Sequence, residues 1–372
     1  MLEQLEVLKI SSRIDETERE ALERVWKSKI FFPGPEARAL EKEFAERMRQ
    51  KHGIAIVNAM SVMFASLKAM GVNAGDEVIV AANFFFPVAA VLYANGTPVF
   101  ADCDPLTWNV DSQDIEKKIT KKTKAVIPCH MFGLPSDMDP IMEIAEKHNL
   151  TVMEDAAQAN GSKYKSQWTG SIGHIGSFSF CGKSMNTGNG GMATTDDDDI
   201  AEALRHIRGE GWVGGTVPAP PYLSWNLWCT EFVAAVARAQ LKKLDRMVEE
   251  TQKNANLYDE VLEDCDWLTP QYIPEDYTST YYGYHFLFEG DKVGIKRDKF
   301  VKALKDAGCR AGYMDPEVMI PTRNYYAKYG WGKCPVIEAV YKKGIFGAFT
   351  YSYSFNSYEE ERKSVAANAE AL

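Results

Sequence analysis

No stretch of the 372-residue chain reaches the roughly 18 apolar residues that a membrane-spanning helix needs. The opening stretch MLEQLEVLKISSRIDETERE is charged throughout, unlike a secretory or transit peptide, so the expectation is a cytoplasmic protein. Histidine is scarce, with 6 residues, and the seven cysteines (103, 129, 181, 229, 265, 309, 334) never fall into a C-x-x-C spacing. Without a His/Cys cluster at zinc-ligand spacing no metal is expected, and the scattered, odd-numbered thiols read as reduced and mostly buried. Positive charge is also in short supply: 42 Lys and Arg face 52 Asp and Glu, a formal net charge of −10. With no surplus of cations to neutralise phosphates, nucleic acid and membrane surfaces are disfavoured as partners. The densest acidic run, 196–199, reads as a solvated helix entrance. No G-x-G-x-x-G follows the first strand-like run, which argues against a nicotinamide dehydrogenase.

What the chain does contain is a repeated alternation. Short apolar runs at 54–57, 78–82, 98–100, 125–129, 151–153 and 177–180 are separated by segments of helical period. Those segments are 62–70, stopped by Gly71, then 112–119, with Asp111 as N-cap, and 139–148. Strands alternating with helices at this spacing need right-handed crossovers and a mostly parallel sheet, so the fold class is α/β. Helical period resumes over 230–246, where Val233, Val236, Ala237, Gln240, Leu241 and Leu244 share one side. The length suggests two domains, and the texture changes near residue 250. Residues 284–288 and 346–355 read as strands and 297–307 as an amphipathic helix. The predicted division is therefore a large domain over 13–250 and a smaller α+β domain over 251–372, with 1–12 packing beside the latter. The Gly/Pro-rich 209–221 reads as a long loop.

The chemistry concentrates at two strand ends. TVMEDAAQ (151–158) brings acids to the carboxyl edge of a parallel sheet, where α/β enzymes bind ligands. Taken alone, a surface turn with solvated acids would be the better reading. The next strand and its loop, SFSFCGKSMNTGNGG (177–191), place one lysine, Lys183, among small residues. An acid on one strand end and a lysine after the next is what a pyridoxal phosphate (PLP) site requires. The carboxylate keeps the pyridine nitrogen protonated, and the lysine holds the aldehyde as a Schiff base. Upstream, the run 54–57 leads through Asn58-Ala59-Met60-Ser61 into a helix, whose free N–H groups suit an anion such as a phosphate; Ser61 adds a hydroxyl.

These residues resemble the DegT/StrS-type sugar aminotransferases, PLP enzymes of aspartate aminotransferase fold type I. The likeness runs through FPGPEARALEKEF (32–44), GDEVIV (75–80), PVFAD (98–102) and KTKAVIPCHMF (122–132). It continues through EDAAQA (154–159), the F-S-F…K…G-x-G-G block (178–191) and AVARAQL, ending at Leu241. The resemblance implies a seven-stranded-type, mostly parallel sheet flanked by helices, plus the smaller C-terminal α+β domain. It implies that Asp155 pairs with the pyridinium, Gln158 lies near the cofactor's phenolic oxygen, and Lys183 forms the Schiff base and shuttles a proton. Ser179, Ser61 and Met60 fall at the phosphate. Phe85, one of three consecutive phenylalanines, falls at the ring-stacking position. Asn226 in SWNLWCTE (224–231) matches an asparagine that reaches the partner subunit's phosphate, though a capping role before Thr230 is an equal reading.

The implied activity is amino transfer from glutamate or glutamine to a nucleotide-linked keto-sugar or a keto-cyclitol, in a homodimer with shared sites. The AVARAQL spelling leans toward the cyclitol and 3-amino-5-hydroxybenzoate branch. Three positions depart from the pattern: Trp228 replaces an arginine, the step from Ser179 to Lys183 is one residue short, and Asn189 replaces an acid. Trp228, the short step and the Ala59-Met60-Ser61 turn, which in the family usually reads S-G-T, support an alternative, a PLP-binding sensor or catalytically impaired relative. A PMP-dependent deoxysugar dehydratase of the same fold is a further alternative, opposed by Lys183, because those enzymes carry histidine there. His130, Glu210, Trp212 and Tyr313 stand as polar candidates for the substrate side, with core packing or loop structure an equal reading.

Overall fold

The computed structural model describes residues 14–210, 223–306, 312–313 and 334–347. Residues 1–12, most of the expected 209–221 loop with Trp212, the side chain of Tyr313 and the expected strand beyond residue 347 lie outside the described residues.

All six apolar runs become strands of one seven-stranded sheet. They are β1 (His52–Ile56), β2 (Glu77–Ala81), β3 (Thr97–Ala101), β4 (Thr123–Ile127), β5 (Thr151–Asp155) and β6 (Ile175–Ser179). The seventh, β7 (Gly191–Thr195), gives the order β1-β7-β6-β5-β4-β2-β3. β7 runs antiparallel to both neighbours, and the remaining pairs are parallel. Strand interiors such as Ile79, Val80, Val126, Ile127, Val152 and Met153 are fully buried, as both-face helix cover requires.

Helices α1 (Glu16–Ser28), α2 (Pro35–Met48), α3 (Ala59–Ala69), α4 (Phe86–Tyr93), α5 (Ser112–Lys117) and α6 (Met138–His148) precede or join these strands, and α7 (Asp198–Arg205) follows the last. The acidic run is the entrance to α7, with Asp197 accepting from the Ile200 N–H at 2.9 Å. Two helix boundaries near the strand ends differ from the sequence reading. α3 starts at Ala59 rather than Val62, because the Asn58 side chain caps it by accepting from the Ser61 N–H at 2.9 Å. The single helix expected over 230–246 is two, α8 (Glu231–Leu241) and α9 (Leu244–Leu262).

α9 carries the chain from one core to the next. Its Leu244, Met247 and Val248 pack with α2, α8, Phe178 and Phe180, whereas Ala255, Tyr258 and Leu262 belong to a separate cluster with Phe286, Phe300 and Ile345. That second cluster lies on an antiparallel four-stranded sheet of β8 (Leu268–Pro270), β9 (Tyr284–Phe288), β10 (Gly312–Tyr313) and β11 (Gly344–Gly347), in the order β8-β9-β11-β10. Helix α10 (Arg297–Asp306) packs into that second cluster, whereas α11 (Pro335–Lys343) buries Ile337 and Val340 in the core of the seven-stranded sheet. The described part of the last strand thus begins two residues before the expected 346. Among the described residues no helix is long and apolar enough to cross a membrane.

Candidate active site

Neighbouring acids on β5 point to opposite sides of the sheet, since successive side chains in a strand alternate. Glu154 is fully buried and saturated. Its Oε1 accepts from the N–H groups of Ile172 (2.7 Å) and Gly173 (2.6 Å), and its Oε2 from Gly170 N–H (2.7 Å) and His130 Nε2 (2.9 Å). His130 Nδ1 in turn accepts from the Ser136 N–H at 3.0 Å, so this network assigns the proton to Nε2. His130, a candidate for the substrate side, is therefore a structural residue that helps Glu154 pin the 170–173 turn. Glu210 contributes only its backbone to the described structure.

Asp155 is just as buried, at 1% exposure, but not saturated. Its Oδ1 accepts from the Ala157 N–H at 3.1 Å, while among the described residues Oδ2 has no hydrogen-bond partner of proper geometry. The thiol of Cys129 beside it is only a weak donor. Burial raises the pKa of this carboxyl above the ordinary range, against the opposing pull of the Ala157 N–H and the nearby Lys183 charge. A buried, half-satisfied carboxylate is costly and accepts a cationic N–H donor readily.

The lysine loop begins where β6 ends. Asn160 Nδ2 donates to Ser179 O at 2.7 Å, and Ser179 Oγ accepts from the Cys181 N–H at 3.3 Å. Gly182 at φ +62° turns the chain, so the short step to Lys183 is made through bends rather than extended backbone. Asn186 Oδ1 then accepts from Gly182 N–H (3.2 Å) and Gly188 N–H (3.1 Å), bracketing the lysine. Buried Gln240 of α8 clamps Asn186 reciprocally: its Oε1 accepts from Asn186 N–H at 2.5 Å and its Nε2 donates to Asn186 O at 3.0 Å. Lys183 Nζ rests over the ring of Tyr282, 3.8 Å from the centroid.

The other expected residues lie on these same edges. Gln158 Oε1 accepts from the Phe132 N–H at 2.7 Å, which commits the other end of the amide, Nε2, to donating elsewhere. Met60 and Ser61 occupy the first turn of α3, and Ser61's own N–H is spent on the Asn58 cap. Gly191 crosses the Asn58–Ala59 backbone so closely that a Cβ would come within 2.6 Å of Asn58 C. Phe85 is the N-cap of α4, half-buried and stacked on the more exposed Phe86 at 4.4 Å between centroids. Asn226 is exposed, on the segment preceding α8. Its neighbour Trp228 bridges to Ile56 and carries the buried Arg208 guanidinium on its ring at 4.2 Å, with Phe32 edge-on at 5.0 Å. The indole thus packs against a cation where the family pattern has one.

Sequence reasoning missed Tyr282, Asn160 and the clamping role of Gln240. Only Gln240 had a signal, as a polar residue on an otherwise apolar helix face. Tyr282 is placed by long-range bonds: its N–H donates to Phe132 O at 2.8 Å. Phe132 itself sits at φ +60°, its ring stacked on His285 at 3.5 Å between centroids; burial brings the His285 pKa down to about 3, so this imidazole is neutral.

A buried acceptor awaiting a donor, an amine, an oriented amide and a helix N-terminus fit the ring nitrogen, aldehyde, phenolic oxygen and phosphate of PLP respectively. Comparisons agree with that chemistry. The GDP-perosamine synthase of Caulobacter vibrioides is 39% identical over 256 residues, 67% of this chain and 68% of that protein. A Streptoalloteichus tenebrarius protein named as a putative L-glutamine:3-amino-2,3-dideoxy-scyllo-inosose aminotransferase is 32% identical over 302 residues, 78% of this chain and 71% of its own. The X-ray structure of an aminotransferase from Psychrobacter cryohalolentis superposes with a TM-score of 0.83 at 31% identity, covering 95% of this chain and 96% of that one. A model of the DegT/DnrJ/EryC1/StrS aminotransferase family matches residues 12–348, and the chain belongs to that family of PLP-dependent enzymes.

Proposed function

We propose that this enzyme transfers an amino group from glutamate or glutamine to a nucleotide-linked keto-sugar or a keto-cyclitol. The observation that carries the reading is the partnerless Oδ2 of buried Asp155 beside the Lys183 loop. The names of the two relatives, one for a GDP-linked sugar and one for an amino-dideoxy-inosose, support both acceptor classes.

In this reading each residue has one task. Asp155 holds the pyridinium N–H, Gln158 donates through Nε2 to the phenolic oxygen, and Lys183 binds the aldehyde carbon covalently. Ser179, Ser61, Met60 and the first turn of α3 hold the phosphate, and Phe85 covers the ring. Bound PLP supplies the electron sink that makes the donor's α-carbon acidic. Once released from the cofactor, Lys183 Nζ takes that proton and returns it, serving both halves of a ping-pong reaction. Exposed Asn226 reaches the phosphate in the partner subunit, so the working unit is a cytoplasmic homodimer with two shared sites. We also assign residues 13–250 to the cofactor-binding domain and 251–372 to the smaller one. Lys183 opposes the dehydratase alternative, and the Trp228–Arg208 stack gives one departure from the family pattern a structural cause.

One spectrum tests the class and the donor together. Purified protein with PLP should absorb near roughly 410 nm, and glutamate should convert that band to one at shorter wavelength. A band indifferent to both glutamate and glutamine would favour the sensor and end this proposal.

A further inference from the structure

We propose that Tyr282 is a positioning residue for Lys183: its ring face is the seat that aims Nζ whenever the lysine is not bonded to the cofactor. The proposal rests on the assignment of Lys183 given above. Nζ lies 3.8 Å from the ring centroid, well inside the ~6 Å over which an aromatic face attracts an ammonium.

The ring's place is imposed from behind rather than by the lysine. Tyr282 N–H donates to Phe132 O at 2.8 Å, and Thr280 N–H donates to Gly133 O and Ser162 Oγ, both at 3.2 Å. Thr280 Oγ1 donates to Gln158 O at 3.0 Å, while Thr251 Oγ1 donates to Thr280 O at 3.1 Å. Gly133, at φ +92°, lets the segment approach: a Cβ there would lie 2.3 Å from Thr280 Oγ1 and 3.1 Å from Tyr282 N. The same segment therefore holds the backbone of Gln158 and carries the tyrosine, so the seat and the cofactor-facing amide share one frame.

An aromatic seat suits a lysine that must gain and lose a proton. Among the described residues no carboxylate lies within ion-pair distance of Nζ, although Asp155 is near enough to feel its charge. A carboxylate partner would lock the ammonium and compete for its proton. The ring face attracts the cation, accepts no proton, and releases the neutral amine. In the cycle, neutral Nζ takes the proton from the donor's α-carbon, becomes the ammonium that the ring holds in place, and gives the same proton up at the cofactor's exocyclic carbon. The tyrosine gains and loses nothing.

The first test uses the cofactor-free protein. Reductive ¹³C-methylation labels the lysines, and loss of one signal in Lys183→Arg identifies Lys183. Its methyl signal should sit upfield of the other lysines, shifted by the ring current. Tyr282→Phe should keep that shift and Tyr282→Leu abolish it. The second test follows the amino-donor half-reaction of the loaded enzyme in a single turnover. Tyr282→Leu should slow it about tenfold and enlarge the isotope effect of an α-deuterated donor, while Tyr282→Phe stays within about twofold of wild type. No upfield shift in the wild type overturns the seat. A shift without a kinetic effect in Tyr282→Leu overturns the positioning role, as does Tyr282→Phe slowing as much as Tyr282→Leu. A borohydride-trapped adduct on a lysine other than Lys183 overturns the Lys183 assignment and the kinetic half, and leaves the ring-current result to stand by itself.

Discussion

Replacing Asp155 by asparagine should move stability and activity in opposite directions. In the cofactor-free protein this carboxyl is buried, with Oδ2 unpartnered, and burial raises its pKa. The native state then binds the proton more tightly than the unfolded state. Stability is present below the ordinary carboxylate range and is lost as pH rises through the raised value. Asparagine does not titrate, and its Oδ1 can still accept from the Ala157 N–H. Cofactor-free Asp155→Asn should therefore melt at or above the wild type near neutral pH, with the advantage shrinking as acid is added. Catalysis should go the other way. A hydrogen bond to a charged group is worth about 1.5–3 kcal/mol, and the neutral amide cannot keep the ring nitrogen protonated. Transamination should fall at least about a hundredfold, some 2.7 kcal/mol of barrier, while PLP still binds. Thermal melts of the stripped protein across pH, paired with single-turnover rates of the loaded enzyme, read both. Near-wild-type transamination would refute the assignment outright, because the adjacent acid cannot substitute: Glu154 spends its oxygens on three backbone amides and His130. A pH dependence of melting unchanged by the mutation would refute the burial argument.

Borohydride reduction followed by peptide mass mapping should place a pyridoxyl group on Lys183; a label on Lys163 or Lys165 would show the loop reading to be wrong. Gln240→Leu removes two hydrogen bonds to Asn186, a loss of about 1–3 kcal/mol, and should lower both the melting temperature and the trapped yield on Lys183. A lower melting temperature with an unchanged yield would limit the clamp to stability. Lys183→Ala and Asn226→Asp, each weak alone, should recover toward about a quarter of wild-type activity when refolded together, since random pairing leaves one intact site in half the dimers. No recovery, with hybrid dimers shown to form, would place Asn226 outside the neighbour's site.

What could be read in advance followed from periodicity. The six apolar runs became strands because their residues are buried on both faces, and EDAAQ and the Lys183 loop came to the carboxyl edge because their strands end there. β7 went unread because Gly191–Thr195 carries small and hydroxylated residues with no apolar run; its identity as a strand comes from pairing with β1 and β6. The start of α3 was misplaced by three residues because an asparagine cap, not the first large apolar side chain, begins the helix. Burial explained His130 only once its partners were known: a lone histidine in sequence carries no sign of a glutamate 24 residues away.

The paired acids show why that boundary falls where it does. Glu154 and Asp155 are adjacent and equally inaccessible, yet strand alternation sends one to four donors and the other to one. The saturated acid fixes the 170–173 turn; the unsaturated one keeps a free acceptor, and a free buried acceptor is the chemically useful kind. The same division of labour recurs around the lysine. Gln240 and the Asn186 side-chain oxygen are spent on the backbone at 182, 186 and 188, which fixes the loop on both sides of Lys183. Bonds from Thr280 and Tyr282 to the Phe132–Gly133 turn bring the chain beyond α9 into the site, where it touches the backbone of Gln158 and the head of the lysine. A large unit ending within α9 would retain the acid and the lysine, but would lose the frame that steadies the amide and the ring beneath Nζ. The sheet edge gathers the reactive groups; hydrogen bonds distant in sequence decide which of them are left free to react.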